Sequence, residues 1–119
     1  MMKPLAFIIE DNQDQNLVFT TALHQAGFET ESILEGSIAQ TRLAEVVPDV
    51  VVLDLHIPGV HGEALLHQIR SDRRLKDVKV MLATADASLA KELQSQADFV
   101  LLKPISFSQL SGLAKRLAV

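Results

Sequence analysis

Apolar residues in this 119-residue chain form short unbroken runs that alternate with longer segments of helical periodicity. The clearest run is Val50–Leu53, where no polar residue interrupts the apolar ones. A strand exposed on one face alternates apolar and polar residues, whereas an unbroken run is typical of a strand buried on both faces of a parallel sheet. Similar runs predict strands at 5–9, 80–83 and 99–102, and the charge-bearing segment 28–33 predicts an edge strand.

The segments between these runs predict five helices. Gly27 ends the first helix and Pro48 ends the second. Asn12 is a candidate N-cap for the first helix, and Ser106 with Gln109 forms a capping-box pattern for the last. The expected helical ranges are 14–26, 36–47, 62–71, 87–96 and 106–117.

Five strands that alternate with five helices predict a three-layer α/β sandwich around a five-stranded parallel sheet. The length suits one domain over residues 1–119, and a hydrophobic content of 48% excludes disorder. A strand order of 2-1-3-4-5 makes strands one and three neighbours at the switch point of the sheet. The first two helices are expected to direct these residues inward: Leu17, Val18, Thr21, Ala22 and Ala26, then Ile38, Ala39, Leu43, Val46 and Val47.

Composition narrows the expected partners and location. The formal net charge of −4 does not favour direct binding to nucleic acid. No apolar stretch approaches the length of a transmembrane helix, so no membrane partner is expected. The chain contains no cysteine, which fits a reducing compartment, and a cytoplasmic location is expected.

Four of the predicted strands end in residues capable of chemistry. Glu10 and Asp11 follow the first, Asp54 the third, Thr84 the fourth and Lys103 the fifth. Because the carboxyl ends of parallel strands meet at one edge, these side chains are expected to form one site. Oxygen ligands from three carboxylates suit Mg²⁺, which would also compensate their charge. Carboxylate, metal, amine and hydroxyl together match covalent phosphorylation of an aspartate.

Each of these residues also has an ordinary structural interpretation. Glu10 and Asp11 can be a solvated strand exit that favours the start of the next helix. Lys103 can be a surface lysine, and Thr84 a β-branched strand residue. These interpretations do not explain why Asp54 directly follows four apolar residues.

Four motifs, taken in order, resemble the receiver domain of two-component response regulators. The resemblance covers essentially the whole chain, and it depends on all four motifs standing at strand ends in the right order. The motifs are Glu10-Asp11, the segment 54–62 (Asp-Leu-His-Ile-Pro-Gly-Val-His-Gly), Thr84-Ala85 and Lys103-Pro104.

The resemblance implies a flavodoxin-like fold and a role for each site residue. Asp54 would be the phosphoacceptor, with Thr84 and Lys103 in contact with the phosphoryl group. The Lys103–Pro104 peptide would be cis. The implied Mg²⁺ ligands are Glu10, Asp11, Asp54 and the backbone carbonyl of His56, with Asp11 binding more directly than Glu10.

The resemblance also implies partners and an output. The phosphoryl donor would be a phosphohistidine of a histidine kinase or histidine phosphotransfer protein, and a downstream effector protein would read the result. The chain would then be a phosphorylation-controlled switch or a phosphate carrier. It would not be an enzyme beyond its own phosphorylation and dephosphorylation.

Two departures from the family pattern concern signal output. The family usually has Tyr or Phe three residues before the lysine, where this chain has Val100, and Phe99 would point to the opposite face of the sheet. The segment from Thr84 to Lys103 is also about one helical turn shorter than usual. We therefore expect the signal to pass through the loop around residues 84–86 rather than an aromatic rotamer, or the domain to act as a phosphate carrier in a relay.

Three other protein classes remain open from the residues alone. An aspartate-nucleophile phosphatase of the haloacid-dehalogenase type carries a second aspartate where this chain has His56. A flavodoxin-like FMN binder is disfavoured because the acids in segment 10–14 repel phosphate. A pseudo-receiver that only binds proteins is kept open by Val100. His56 itself is a candidate for a modulating role next to Asp54.

Overall fold

The computed structural model describes residues 3–118 and contains one sheet of five parallel strands in the order β2-β1-β3-β4-β5. The predicted fold class and strand order are therefore confirmed. The strands are β1 (Leu5–Ile9), β2 (Glu29–Ile33), β3 (Val50–Leu53), β4 (Lys79–Thr84) and β5 (Phe99–Leu102). The helices are α1 (Gln13–Gln25), α2 (Gly36–Glu45), α3 (Gly62–Ser71), α4 (Ala87–Leu93) and α5 (Phe107–Leu117).

An apolar core lies on each face of the sheet because the inner strands are buried on both faces. Successive residues of a strand point to opposite faces. In β3, Val51 and Leu53 belong to the core shared with α2, α3 and α4, whereas Val50 and Val52 belong to the core shared with α1 and α5. The prediction of a doubly buried strand at Val50–Leu53 is thus confirmed.

Side-chain caps fix where the helices begin. The Asn12 side chain accepts a hydrogen bond from the Gln15 N–H at 2.9 Å, and Ser106 Oγ accepts one from the Gln109 N–H at 3.0 Å. Both predicted N-caps are confirmed. Helix α4 ends earlier than predicted, at Leu93, and a short 3₁₀ turn continues to Gln96. Within residues 3–118, no helix has both the length and the apolar character needed to cross a membrane.

The predicted inward face of α1 is only partly correct: Ala22 is buried and Ala26 packs against the core, but the first turns of the helix are out of phase. Leu17 is 66% exposed and Val18 is 38% exposed, although both were expected to face the sheet. The buried stripe of α1 begins at the polar residue Asn16. A search for apolar positions alone begins instead at Leu17, one residue later. The buried residues of α1 are Asn16, Phe19, Ala22 and Leu23.

The predicted inward face of α2 is also only partly correct. Ala39 and Leu43, four residues apart, are buried and define its stripe. Ile38 lies one residue off that stripe and is exposed. Val47 lies beyond the end of the helix and is exposed as well, while its neighbour Val46 packs against the core.

An arginine ties the short α4 region to α3 at the amino-terminal edge of the sheet. The Arg70 guanidinium donates to the carbonyls of Val78 at 2.9 Å and Gln96 at 2.7 Å, and to the Asp98 carboxylate at 2.9 Å. Asp98 also accepts from the Val80 N–H at 2.8 Å. These bonds fix the connection between α4 and β5 far from the carboxyl edge.

Two matched substitutions in α1 test the corrected helix face. Leu23→Ala should destabilise the protein by about 2–5 kcal/mol, because it removes a fully buried side chain and leaves a cavity. Leu17→Ala should change stability by less than about 0.5 kcal/mol, as expected for an exposed position. Urea unfolding followed by circular dichroism measures both, and equal losses would contradict the assigned face.

Candidate functional site

Backbone pairing continues beyond the strand ends and brings the predicted site residues to one edge. The Asp54 N–H donates to the Ile9 carbonyl at 3.0 Å, so the residue after β3 stays beside the end of β1. The Lys103 N–H donates to the Thr84 carbonyl at 2.9 Å, which fixes the residue after β5 beside the end of β4. The residues at the carboxyl ends of β1, β3, β4 and β5 therefore lie at one edge of the sheet.

The Lys103 ammonium lies between two buried carboxylates. Its Nζ is 2.7 Å from Glu10 Oε1 and 3.3 Å from Asp54 Oδ2. Glu10 is 1% exposed and Asp54 is 5% exposed, so neither carboxylate is solvated as a free surface acid. Glu10 Oε2 also accepts a hydrogen bond from the Asn12 N–H at 3.1 Å. The ammonium thus compensates charge that burial would otherwise make costly.

Asp11 completes an acidic cluster with these two residues. Glu10, Asp11 and Asp54 each offer a carboxylate oxygen, and the three oxygens lie within 4.8 Å of one another. Asp11 is exposed, in contrast to the other two. One ammonium cannot compensate three carboxylates, and oxygen donors at this spacing fit a hard divalent cation such as Mg²⁺.

The ionisation of the cluster follows from burial and from Lys103. Burial raises the pKa of the Glu10 carboxyl from 4.5 to about 7, against the opposing effects of Lys103 and of the Asn12 N–H, and the charge of Asp54 adds to the increase. Burial alone would lower the pKa of Lys103, but the two carboxylates outweigh it and raise that pKa above its usual value. Lys103 therefore remains charged near neutral pH, where Glu10 titrates.

His56 contacts the phosphoacceptor candidate, and Thr84 ends β4, the strand next to β3. Thr84 is fully buried, and its Oγ1 accepts from the Asp86 N–H at 3.0 Å. The His56 N–H donates to Asp54 Oδ1 at 3.0 Å, so this loop orients the carboxylate from the side opposite Lys103. The Lys103–Pro104 peptide is cis, as expected. The role of the His56 carbonyl as a metal ligand stays a prediction.

Gly62 lets the start of α3 approach the phosphoacceptor candidate closely. A Cβ at this position would lie 2.5 Å from the carbonyl oxygen of Asp54, which no side chain can tolerate without a backbone shift. The Gly62 N–H also donates to the Leu55 carbonyl at 3.2 Å. The glycine therefore keeps the loop after β3 tight against α3.

Asn16 holds the backbone at the end of β1, next to the site, and the sequence analysis did not identify it. Its buried side-chain amide donates to the carbonyls of Glu10 at 2.9 Å, Ile8 at 3.2 Å and Ile33 at 3.4 Å. These bonds hold the end of β1, and with it the Glu10–Asp11 pair, against β2. A helical stripe drawn through Phe19 and Leu23 would have found it, because that stripe begins at position 16.

Asp86 is a second residue that the sequence interpretation did not single out. One of its carboxylate oxygens caps α4 by accepting from the Leu89 N–H at 3.0 Å, and the other lies 2.9 Å from His56 Nε2. The cap was visible in the sequence as an aspartate directly before a helix. Its contact with His56 depends on the conformation of two loops and left no signal in the pattern.

A doubly wound parallel sheet with buried acids, an ammonium and a hydroxyl at its carboxyl edge defines a phosphoacceptor signalling domain of flavodoxin-like fold. The model of one family, described as the response regulator receiver domain, matches residues 6–115. The chain belongs to this family. It is therefore a receiver domain of two-component signal transduction, in which an aspartate takes a phosphoryl group from a kinase.

Curated relatives agree with this assignment. The phosphate regulon transcriptional regulatory protein PhoB of Rhizobium meliloti is 30% identical over 117 residues, which cover 96% of this chain and 52% of that protein. The DNA-binding response regulator MtrA of Mycolicibacterium smegmatis is 30% identical over 109 residues, which cover 92% of this chain and 48% of that protein. The chain thus spans about half the length of the curated relatives it matches.

Solved structures show the same fold. A CheY-like receiver domain from Methylobacillus flagellatus has a TM-score of 0.84 at 28% identity, over 98% of this chain and 99% of that one. The receiver domain of a sensor histidine kinase from Pseudomonas aeruginosa has a TM-score of 0.86 at 21% identity, over 98% of each chain. That second structure contains a magnesium ion coordinated in its active site cleft.

Removing the Lys103 ammonium should lower the free energy of unfolding, because it leaves the buried carboxylates without a compensating charge. Lys103→Met should destabilise the metal-free protein by up to about 3 kcal/mol near pH 8, the low end of the range for breaking a buried pair, because Glu10 can take up a proton. Without the ammonium, the folded-state pKa of Glu10 lies further above its unfolded value. The loss should therefore grow as pH rises and shrink toward about pH 5, where Glu10 is protonated.

Urea unfolding in the presence of a chelator, repeated between about pH 5 and pH 8, measures this effect. Lys115→Met is the matched control, since Lys115 is exposed on α5, and its stability should not acquire a new pH dependence. A Lys103→Met loss that stays constant across this range would show that the ion pairs do not govern the stability of the edge.

Proposed function

We propose that Asp54 is the residue that accepts the phosphoryl group in this receiver domain. The observation that carries the proposal is the buried Asp54 carboxylate, whose Oδ2 lies 3.3 Å from a charged lysine. Lys103 is in turn 2.7 Å from Glu10, so a permanent cation borders both carboxylates. A buried nucleophile beside a cation is what transfer of a negatively charged phosphoryl group requires.

The proposed reaction forms an acyl phosphate. A carboxylate oxygen of Asp54 attacks the phosphorus of a phosphohistidine, the new O–P bond forms, and the N–P bond breaks with its electron pair leaving on the imidazole. Lys103 offsets charge on the transferred group, and the Thr84 hydroxyl donates to one of its oxygens. Mg²⁺, held by Glu10, Asp11, Asp54 and the His56 carbonyl, would supply further charge compensation when bound.

The chain's own contacts support this role for Asp54. The His56 N–H holds Oδ1 at 3.0 Å while Lys103 approaches Oδ2, so the plane of the carboxylate is fixed before a donor arrives. Asp54 is 5% exposed, so its carboxylate is shielded from bulk water before a donor arrives. In this role the chain would carry the phosphoryl group itself, and catalysis would be limited to the domain's own phosphorylation and dephosphorylation.

The proposed donor is the phosphohistidine of a histidine kinase or a histidine phosphotransfer protein. Apolar groups suited to a protein partner lie beside the site: Val18 is exposed on α1 and lines a groove together with Pro104, which directly follows Lys103. We further propose that residues 1–119 form one domain and that it acts in the cytoplasm. A downstream effector protein would bind the domain according to its phosphorylation state, and the domain itself would not contact nucleic acid or membrane. The net charge of −4 supports the exclusion of nucleic acid.

Phosphorylation with a small-molecule donor tests the assignment of Asp54. Incubation with Mg²⁺ and acetyl phosphate should add one phosphoryl group per chain, measured by intact mass. Asp54→Asn should abolish the addition, because the amide is not a nucleophile for phosphorus. Asp14→Asn is the matched control, since Asp14 is an exposed acid in the first turn of α1, and it should label like the wild type.

Three outcomes would contradict the proposal. Labelling of Asp54→Asn at the wild-type level would move the phosphoacceptor to another residue. Catalytic release of inorganic phosphate over many turnovers would indicate a phosphatase, and the absence of any labelling would indicate a domain that only binds proteins.

Magnesium binding should depend on Asp11 more than on Glu10. Asp11 is exposed in the acidic cluster, whereas Glu10 is engaged by Lys103 and is partly protonated near its pKa of about 7. Asp11→Asn should weaken Mg²⁺ binding roughly tenfold or more, at least about 1.4 kcal/mol, and Glu10→Gln should weaken it less. Amide chemical-shift titration measures the affinity, since the chain lacks Trp and Tyr. Equal affinity in Asp11→Asn and wild type would refute the ligand assignment.

A further inference from the structure

A side-chain bridge crosses the mouth of the site. His56, in the loop after β3, places Nε2 2.9 Å from Asp86 Oδ2, in the loop after β4. A carboxylate only accepts hydrogen bonds, so this nitrogen carries the hydrogen and donates it. The two residues are 30 positions apart in the sequence, and their contact joins the loop that holds Asp54 to the loop that follows Thr84.

Asp86 connects this bridge to α4. Its second carboxylate oxygen caps the helix through the Leu89 N–H at 3.0 Å, and its own N–H donates to Thr84 Oγ1 at 3.0 Å. The Leu89 N–H, and after it His56, lower the pKa of the Asp86 carboxyl, so the bridge is made by the ionised form. One residue thus contacts the buried hydroxyl, the first turn of α4 and the histidine.

His56 supplies the link to the phosphoacceptor. Its backbone N–H donates to Asp54 Oδ1 at 3.0 Å, while its side chain reaches Asp86. The hydrogen bonds therefore run without interruption from Asp54 through His56 and Asp86 to α4. Helix α4 has only seven residues, so a link at its first turn acts on a large part of it.

The bridge is weak enough to respond to a change of charge at Asp54. The His56 side chain is 63% exposed and that of Asp86 is 34% exposed, and ion pairs of this kind contribute little to stability. A phosphoryl group carries about −1.5 to −2 charges and three strong acceptor oxygens. It would repel the Asp86 carboxylate and offer the His56 donor a competing acceptor.

The aromatic residue that the family normally uses for output is not available here. Val100 packs half-buried against the core shared with α2, α3 and α4, and its short β-branched side chain cannot swing between two positions. Phe99 packs in the opposite core, as expected. The other end of the α4 region is held by Arg70 through the Gln96 carbonyl, which leaves the first turn of α4 as the end free to respond.

We propose that the His56–Asp86 bridge couples phosphorylation to α4 and takes the place of the aromatic rotamer. Without phosphate, the bridge ties the first turn of α4 to the loop of Asp54. With phosphate, His56 turns to the phosphoryl oxygens and Asp86 is released, which loosens that turn. The proposal rests on the proposed function of Asp54 and specifies how that same site is read.

Two variants break the bridge in different ways. His56→Ala removes the donor and keeps the backbone N–H and the cap of α4. Asp86→Ser shortens the side chain beyond reach of His56 but retains an N-cap acceptor for the helix. His61→Ala is the matched control, because His61 lies exposed in the same connection and makes no side-chain cap to α3.

The probe is beryllofluoride with Mg²⁺, which occupies the phosphoryl position, and the readout is the amide chemical shift of residues 87–93. In wild type and His61→Ala, saturating beryllofluoride should shift these amides. In His56→Ala and Asp86→Ser the change should fall by at least about half, and amide exchange of α4 without the probe should be roughly twofold faster, the size expected for losing one exposed pair. The double variant should match the single ones, because all three lack the same contact.

The outcomes separate this proposal from the proposed function. If His56→Ala shifts α4 as fully as wild type, or if the wild-type response leaves residues 87–93 unchanged, the bridge does not couple the site to α4. Labelling of wild-type Asp54 by acetyl phosphate, measured on a separate portion of the protein without beryllofluoride, would then still stand. If wild type is not labelled and Asp54→Asn behaves identically, the function of Asp54 fails, and the coupling fails with it.

Discussion

The Lys103 ammonium is the charge on which the carboxyl edge of this domain depends. Two carboxylates, Glu10 and Asp54, are almost fully buried there, and an unpaired buried charge is among the costliest features a fold can carry. Lys103 reaches both because its backbone continues the pairing of β5 with β4 beyond the strand ends. The charge compensation therefore depends on the strand order, because the lysine that follows the edge strand β5 has to reach acids that follow the inner strands β1 and β3.

The sequence predicts those parts of the fold that depend on a local pattern of residues. Burial on both faces makes Val50–Leu53 uniformly apolar, and parallel strands bring their carboxyl ends to one edge, so the sheet and the position of Asp54 follow from local pattern. The phase of α1 does not follow in this way. Its stripe begins on Asn16, whose burial is stabilised by three backbone carbonyls that come together only in the folded protein.

The residues that escaped prediction lie where the site is held together. Asn16 supports the end of β1, and Asp86 connects Thr84, His56 and α4. Both are polar residues whose positions are explained by contacts between segments distant in sequence, so neither periodicity nor propensity could reveal them. Natural sequences tend to break local rules at functional sites, and the two site residues that pattern reasoning missed, Asn16 and Asp86, both lie at the carboxyl edge.

The two ends of the sheet differ in how firmly they are fixed, and this difference bears on signalling. At the amino-terminal edge, Arg70 makes three hydrogen bonds that join α3, β4 and the start of β5, and Asp98 adds a fourth to β4. At the carboxyl edge, α4 is tied to the loop of Asp54 by the exposed contact between His56 and Asp86. Local opening occurs first where few and exposed bonds hold a segment. In the proposed coupling, a charge added at Asp54 would therefore act on the end of α4 that this exposed contact holds.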